Sequence, residues 1–359
     1  MRFIALSQDQ TILRSGKTQD RIKSYGTIVD ELTVILFGVG VPHEEHISPN
    51  VRIIASGGGM KVSAFIRGVQ TLFRIAPQYD LITAQDPFFL GFAAVWAGRI
   101  KKIPVQIQVH TDCFSKNYWS ESFVRVLQAL LASWVLPRAA CVRAVSERVA
   151  KRVRQMTSAP VSVLPIRVSV DAIPTPRPTI FHDRFTALAV SRLSHEKQLS
   201  VIIDALAQTQ DIDLVIVGDG PLRVSLERRA KERDVAGRVR FEGGQNDLSA
   251  YYQHAQAFVQ CSRYEGYGMT LVEAALAGLP IVSTDVGIIG DMLRPDEEAI
   301  VVSAQPKEYA DALGRLQTER EFAYALGARA KKRAESFQKS EAEYLADYQH
   351  ALAACAVRK

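Results

Sequence analysis

The sequence predicts an α/β protein made of two doubly wound, Rossmann-like parallel-sheet domains facing across a cleft, and three observations carry that expectation. Its 359 residues exceed the roughly 100 to 200 that one ordinary domain holds. Short runs of branched apolar residues alternate with helical patterns from end to end, as parallel sheets with helices on both faces require. Near the middle, Pro174, Pro176 and Pro178 interrupt the alternation; their fixed backbone angles suppress helix and make a stiff connector.

In the first half, RFIAL, ELTVILFGV, VRIIAS, DLITA, PVQIQVH, ACVRAV and VSVLPI read as strands, and helices are expected over 61–75, 87–98, 120–136 and 146–155. After the connector the pattern restarts. FTALAV, DLVIVG, RVRFEG, AQAFVQ, LPIVS and EAIVVS read as strands, and helices are expected near 199–209, 221–234, 246–253, 269–277 and 306–317. Two more helices, 319–336 and 340–354, follow. The expected domains are 1–170 and 181–338, joined by a linker over 171–180, with the helix in 339–359 packing back toward the first domain.

Composition narrows the class. An apolar content of 47% with a mean hydropathy of zero describes a soluble globular protein, and no apolar run approaches the ~20 residues of a membrane-spanning helix. MRFIALSQDQ turns polar after six residues and lacks the apolar core of a signal peptide, so a cytoplasmic location is expected. Cys113, Cys141, Cys261 and Cys355 are scattered without a C-x-x-C pair, and buried free thiols are the expected state. The net charge of +6 is uneven: residues 1–178 hold 22 Lys+Arg against 12 Asp+Glu, the remainder 22 against 26. Arg148, Lys151, Arg152 and Arg154 crowd one short helix, either as a solvated face or as an attraction for phosphate on a membrane or an anionic acceptor. No aromatic residues interleave them, so no nucleic-acid partner is expected.

In open parallel sheets ligands bind beyond the carboxyl ends of the strands, which makes the loops after strands the place to look. SRLSHEKQ presents Arg192 and Lys197, a planar fork and a point charge suited to a diphosphate. Gly218, in VGDGP, allows close approach of a ligand or a neighbouring loop, and Gly243, in FEGGQ, stands at a strand end where backbone amides would meet a base edge. SRYEGYGMTLVEAALAGLP places Glu265 in a glycine-rich loop and Glu273 in the helix that follows, with Gly266, Tyr267, Gly268, Met269 and Thr270 between them. The first-turn amides of that helix make an anion site; alternatively, Thr270 and Glu273 form a capping box. His110, at the end of PVQIQVH, is placed to hydrogen-bond a sugar hydroxyl or to transfer a proton, since a histidine titrates near neutrality.

Taken together, SRLSHEKQ, VGDGPLR, FEGGQNDLSAYY and SRYEGYGMTLVEAALAGLPIVSTDVG in the second half, with QVHTD, RAVSERVAKRV and LPIRVSVD in the first, resemble the retaining glycosyltransferases of family 4, which have the GT-B architecture. The resemblance implies an acceptor-side first domain and a second domain that binds a GDP- or UDP-hexose. Arg192 and Lys197 would neutralise the diphosphate, Glu273 would accept from the ribose hydroxyls, and Glu265 with the Gly266–Gly268 amides would hold the donor sugar. His110 resembles the first-domain histidine near that sugar. A glycine-rich loop common after the family's first strand is replaced by SQDQTILRSGKTQDR, leaving Gly16 and Arg21 as acceptor-side candidates. The implied reaction retains anomeric configuration and needs no metal or other cofactor, and the acceptor would be a glycan or lipid-linked, in cell-surface polysaccharide or glycolipid synthesis, with contact at the inner face of an anionic membrane. The alternatives are a GT-B nucleotide-sugar epimerase and a non-catalytic nucleotide-sugar-binding protein. A nicotinamide-dependent oxidoreductase is disfavoured because no G-x-G-x-x-G run is present.

Overall fold

The computed structural model describes residues 1–14, 16–38, 40–168 and 184–356; the proline connector expected over 171–180 lies outside the described residues. The chain forms two units, Met1–Pro165 with Lys339–Lys359, and Ile166–Gln338.

The first unit runs β1 (Arg2–Ser7), α1 (Lys17–Gly26), β2 (Glu31–Leu36), β3 (His43–Ser48), β4 (Val51–Ala55), α2 (Lys61–Ile75), β5 (Leu81–Ala84), α3 (Phe89–Lys101), β6 (Val105–Val109), α4 (Lys116–Trp119), α5 (Phe123–Val135), β7 (Cys141–Ala144), α6 (Glu147–Arg154) and β8 (Val161–Val163). The strands lie in the order β3-β4-β2-β1-β5-β6-β7-β8. Each pairing is parallel except β3 with β4. Central strands such as β1 and β5 are apolar on both faces because helices cover both. Three elements escape the sequence pattern, the short α4 among them. HEEHIS forms β3, an edge strand whose polar side chains face water, as edges commonly do; α1 is polar enough, with Ile22 and Tyr25 as its buried apolar residues, to read as loop.

The second unit runs β9 (Phe185–Val190), α7 (Leu199–Leu206), β10 (Ile212–Val217), α8 (Arg223–Glu232), β11 (Val239–Gly243), α9 (Ser249–His254), β12 (Ala257–Gln260), α10 (Met269–Ala277), β13 (Ile281–Ser283), β14 (Ile300–Val301), α11 (Pro306–Thr318) and α12 (Arg320–Glu335). Its sheet is parallel throughout, in the order β11-β10-β9-β12-β13-β14. Strand order reverses between β9 and β12. Ile202, Ile203 and Leu206 from α7, with Tyr309 and Leu313 from α11, fill the core against β9 and β10.

The last helix, α13 (Glu341–Ala356), packs in the first unit against β5, β6 and β7. Tyr344, Tyr348, Leu352 and Cys355 line its buried face at helical spacing. Arg143 on β7, itself buried, holds it: its guanidinium donates to the Tyr344 hydroxyl at 2.8 Å and lies over the Tyr348 ring. The expectation of four free thiols is corrected here. Because α13 returns across the sheet, Cys355 meets Cys141, Cα atoms 5.1 Å apart, and the two form a disulfide that spans 214 residues. Cys113 and Cys261 are buried free thiols, and burial pushes them up to about 12 and about 11.

Candidate functional site

In the second unit, the loops after β9 and β12 leave the sheet at the point of strand-order reversal, where open α/β sheets form their binding crevice. The first loop carries Arg192 and Lys197 and the second Glu265. The structure brings two of them into contact, since the Lys197 ammonium donates to Glu265 and both side chains are largely buried. Two more groups hold that carboxylate: the Ser262 hydroxyl at 2.9 Å and the Gln260 amide at 3.3 Å. Gln260, buried at the end of β12, in turn accepts from the Thr270 hydroxyl at 3.2 Å.

Arg192 is held loosely. Its guanidinium lies 3.5 Å from Glu196 and its side chain is 81% exposed, so it can swing to an anion. Burial works to raise the Glu196 pKa, yet the Ser194 hydroxyl, its own backbone amide and the charges of Arg192 and Lys197 bring it below the usual carboxylate range.

The glycines find one another. Gly218 has φ of +132°, its N–H donates to the Gly243 carbonyl at 2.7 Å, and a Cβ there would collide with the Ser191 carbonyl oxygen. Of the two readings open for Gly218, close approach of a neighbouring loop is the one its contacts display: the loop after β9 lies against the loop after β10. Leu193 donates to the Asp219 carbonyl and accepts from the Leu222 amide, both at 3.0 Å.

The capping-box reading of Thr270 and Glu273 is corrected. Helix α10 begins two residues earlier than that box requires, with Gly268 as its N-cap at φ of +86° and no side-chain cap. Thr270 is engaged with Gln260 instead, and Glu273 accepts from the Tyr252 hydroxyl at 2.7 Å. Burial, reinforced by the charge of Glu273, drives the Tyr252 phenol well above its ordinary value, so it stays a donor. The amides of Met269 and Thr270 have no intrahelical acceptor at this helix start. Ahead of it, the buried Tyr267 turns its carbonyl against Gly287, where any Cβ would clash. No spacing in the sequence ties Gln260, Ser262 and Tyr252 to the carboxylates they support, or Gly287 to the loop it lies against.

In the first unit, His110 follows β6 and is partly exposed. The Gln108 amide nitrogen donates to Thr83 at 2.9 Å, so its oxygen accepts both from Arg143 at 3.2 Å and from the His110 Nε2 at 3.1 Å. That arrangement puts the proton on Nε2 and leaves Nδ1 as an acceptor for a hydroxyl donor. Burial, with the charges of Arg143 and Arg21, lowers the His110 pKa from 6.5 to about 3. The expectation of a histidine titrating near neutrality is thereby corrected: with its pKa lowered this far the ring is uncharged near pH 7, which favours the hydrogen-bonding reading of His110 over the proton-transfer one. Arg21 lies within electrostatic reach of it on α1, for which Gly16 is the N-cap. Arg152 of the basic helix is occupied internally, paired with Asp112 at 3.3 Å and bonded to the Phe114 carbonyl at 2.9 Å, and Arg154 pairs with Glu147.

The His110 shift has a sign that can be measured. Between pH 6.5 and about 3 the unfolded chain binds a proton that the folded one refuses, so the contribution is full above pH 6.5 and is lost as pH falls toward 3. Asp86, raised to about 6 mainly by burial, works the other way over part of that range. The difference in urea stability between the wild type and His110→Gln is therefore expected to shrink steadily on acidification below pH 6.5; a difference that does not vary with pH would contradict the shift.

Comparison with known proteins places the chain in a family. The family model described as glycosyl transferases group 1 matches residues 175–333, and that described as a glycosyl transferase 4-like domain matches 30–168. The chain belongs to the group 1 glycosyl transferases. Curated relatives include a 2-deoxystreptamine N-acetyl-D-glucosaminyltransferase of Niallia circulans, 34% identical over 32% of this chain and 31% of that protein. Another is an alpha-monoglucosyldiacylglycerol synthase of Streptococcus pneumoniae, 26% identical over 60% and 55%. The alignments thus span about a third to a half of the length of these relatives. Among solved structures, the chain is similar to Anabaena HepE in complex with UDP and glucose, with a TM-score of 0.78, 18% identity and coverage of 98% and 99%. It is also similar to a sucrose-phosphate synthase of Thermosynechococcus elongatus, with a TM-score of 0.77, 19% identity and coverage of 98% of both chains. At these identities the likeness speaks to fold, and the fold class of this group 1 transferase is GT-B. Among the described residues no three His, Cys, Asp or Glu side chains gather in the way a metal site requires.

Proposed function

We propose that this group 1 transferase moves a hexose from a UDP- or GDP-sugar to a glycan or lipid-linked acceptor with retention of configuration, in contact with an anionic membrane at the cytoplasmic face. The observation that carries the reading is the convergence of Lys197 and Glu265 from two loops at the strand-order reversal, beside the uncapped start of α10. In this reading the diphosphate takes the Lys197 ammonium, the Arg192 fork and the amides of Met269 and Thr270. Gly266, Tyr267 and Gly268 contribute backbone to the donor sugar, whose hydroxyls Glu265 accepts. Glu273, oriented by Tyr252, accepts from the ribose. Gly218 and Gly243 shape the loops rather than touch the leaving group. His110 offers Nδ1 to a sugar hydroxyl, while Gly16 and Arg21 serve the acceptor side. The barrier falls mainly because preorganised donors stabilise charge on the departing nucleoside diphosphate. No cofactor is required in this reading.

The test is a thermal-shift panel of UDP, GDP, UDP-glucose and GDP-mannose, since a ligand that binds the folded state raises the melting temperature. One nucleoside diphosphate is expected to do so in the wild type, with affinity about tenfold or more weaker in Glu273→Gln, as loss of a charged hydrogen-bond acceptor implies. Equal affinity in the variant would remove Glu273 from the site. Release of free nucleoside diphosphate distinguishes transfer from epimerisation, which would return an altered donor.

A further inference from the structure

In a helix that packs on a sheet, the outward face is ordinarily polar. Helices α3 and α5 break that rule. The inner face of α3 includes the small residues Gly91, Ala94, Ala97 and Gly98 alongside Leu90 and Val95, while Phe89, Phe92, Trp96 and Ile100 form an outward stripe and are all exposed. Along α5, Phe123, Leu127, Leu130 and Trp134 recur at helical spacing and also face out, with Phe123 75% and Leu130 62% exposed. The two stripes meet, for the Phe92 and Trp134 rings lie 5.3 Å apart. On the neighbouring α2, Val62 and Ile66 are exposed, and the Phe73 ring contacts Trp96 at 5.0 Å. All three tryptophans of the chain, Trp96, Trp119 and Trp134, are exposed in this region.

Charge says what such a surface fits. Helices α2, α3 and α5 contain no Asp or Glu, yet carry Lys61, Arg67, Arg74, Arg99, Lys101 and Arg125; Arg125 is paired with Glu121 from outside them. The cations lean over the aromatic rings: Lys101 lies 5.9 Å from the Phe73 ring centre and Arg138 4.2 Å from that of Trp134. Aromatic and aliphatic groups in one layer with basic groups around them match the boundary between acyl chains and anionic headgroups. A second copy of the chain would bring like charges face to face. Among the described residues no helix is long and apolar enough to cross a membrane, so the contact would be interfacial.

We propose that the outward face of α2, α3 and α5 is a docking surface for an anionic lipid bilayer. It gives the membrane contact of the preceding proposal a defined place and uses none of the residues assigned to the donor. The basic helix α6, which the charge pattern made conspicuous, is a weaker candidate because Arg152 and Arg154 are already paired.

Vesicles of phosphatidylcholine, with and without phosphatidylglycerol, test it using the whole chain. The protein is expected to sediment with the anionic vesicles at low ionic strength and to shift its tryptophan emission to the blue, with little of either on phosphatidylcholine alone. Phe123→Ser combined with Leu130→Ser, both at exposed positions, should leave the melting temperature and the nucleotide response unchanged and weaken vesicle partition about tenfold or more, since two apolar side chains leave the interface. Three results would overturn the proposal: no binding to anionic vesicles, equal binding by the double variant, or a dimer that the double variant abolishes. Vesicle binding without any nucleotide response would leave this surface standing and refute the donor site.

Discussion

Lys197→Ala is expected to reduce turnover by about 10²-fold or more, the usual effect of deleting one preorganised donor to developing charge. Its ammonium comes from the loop after β9 and is seated on Glu265 from the loop after β12, so in the proposed site it is already held in place before a diphosphate arrives. The single substitution carries a confounding effect, because it leaves Glu265 largely buried with only the neutral donors Ser262 and Gln260. Stripping one partner from a buried ion pair destabilises the fold, whereas replacing both by neutral groups of similar shape is often tolerated. Lys197→Met combined with Glu265→Gln therefore separates the two effects. The double variant should unfold near the wild-type urea midpoint and still lose turnover; wild-type turnover in either variant would remove Lys197 from the reaction.

Gly218→Ala is expected to cost about 3 kcal/mol or more, from left-handed backbone strain added to a clash with a neighbouring chain segment. For a unit of this size that lowers the melting temperature by roughly 6 to 12 °C. The obstacle is the Ser191 carbonyl oxygen, which a methyl group at 218 would overlap. Relief requires the loop after β9 to retreat, and that loop bears Arg192 and Lys197. A fall in turnover should accompany the fall in melting temperature. Gly244→Ala, where a Cβ meets nothing within 4 Å, is the control expected to change neither. A Gly218→Ala variant with wild-type melting would show that the loop yields at no expense.

Most of the scaffold was legible because its strands are buried on both faces. A run such as RFIAL or DLVIVG must be apolar throughout to sit between two helical layers, and that leaves a local mark. HEEHIS left none, since an edge strand keeps one side in water and its pattern follows solvent rather than core. The chemical residues follow the same division. Arg192, Lys197, Glu265 and Glu273 could be picked out as charged groups in or just beyond loops after strands, which depends on order along the chain. Their partners depend on what lies beside them in space. Nothing in LSAYY announces that Tyr252 will meet Glu273, and no spacing tells that Gly218 and Gly243 pair with each other. His110 shows the limit from the other side: its position was readable, but its lowered pKa comes from burial in the fold and then from Arg143 and Arg21, brought to it by β7 and α1.

The placement of α13 has a consequence for biosynthesis. The sheet of the first unit is made early, but the helix that covers β5, β6 and β7 is translated only after residues 166–338 have been added. At about 5 to 20 residues per second that is a wait of roughly 10 to 35 s. Throughout it the nascent chain carries an apolar seat for Tyr344, Tyr348 and Leu352 with no occupant, which makes that interval the natural moment for a ribosome-bound chaperone to engage.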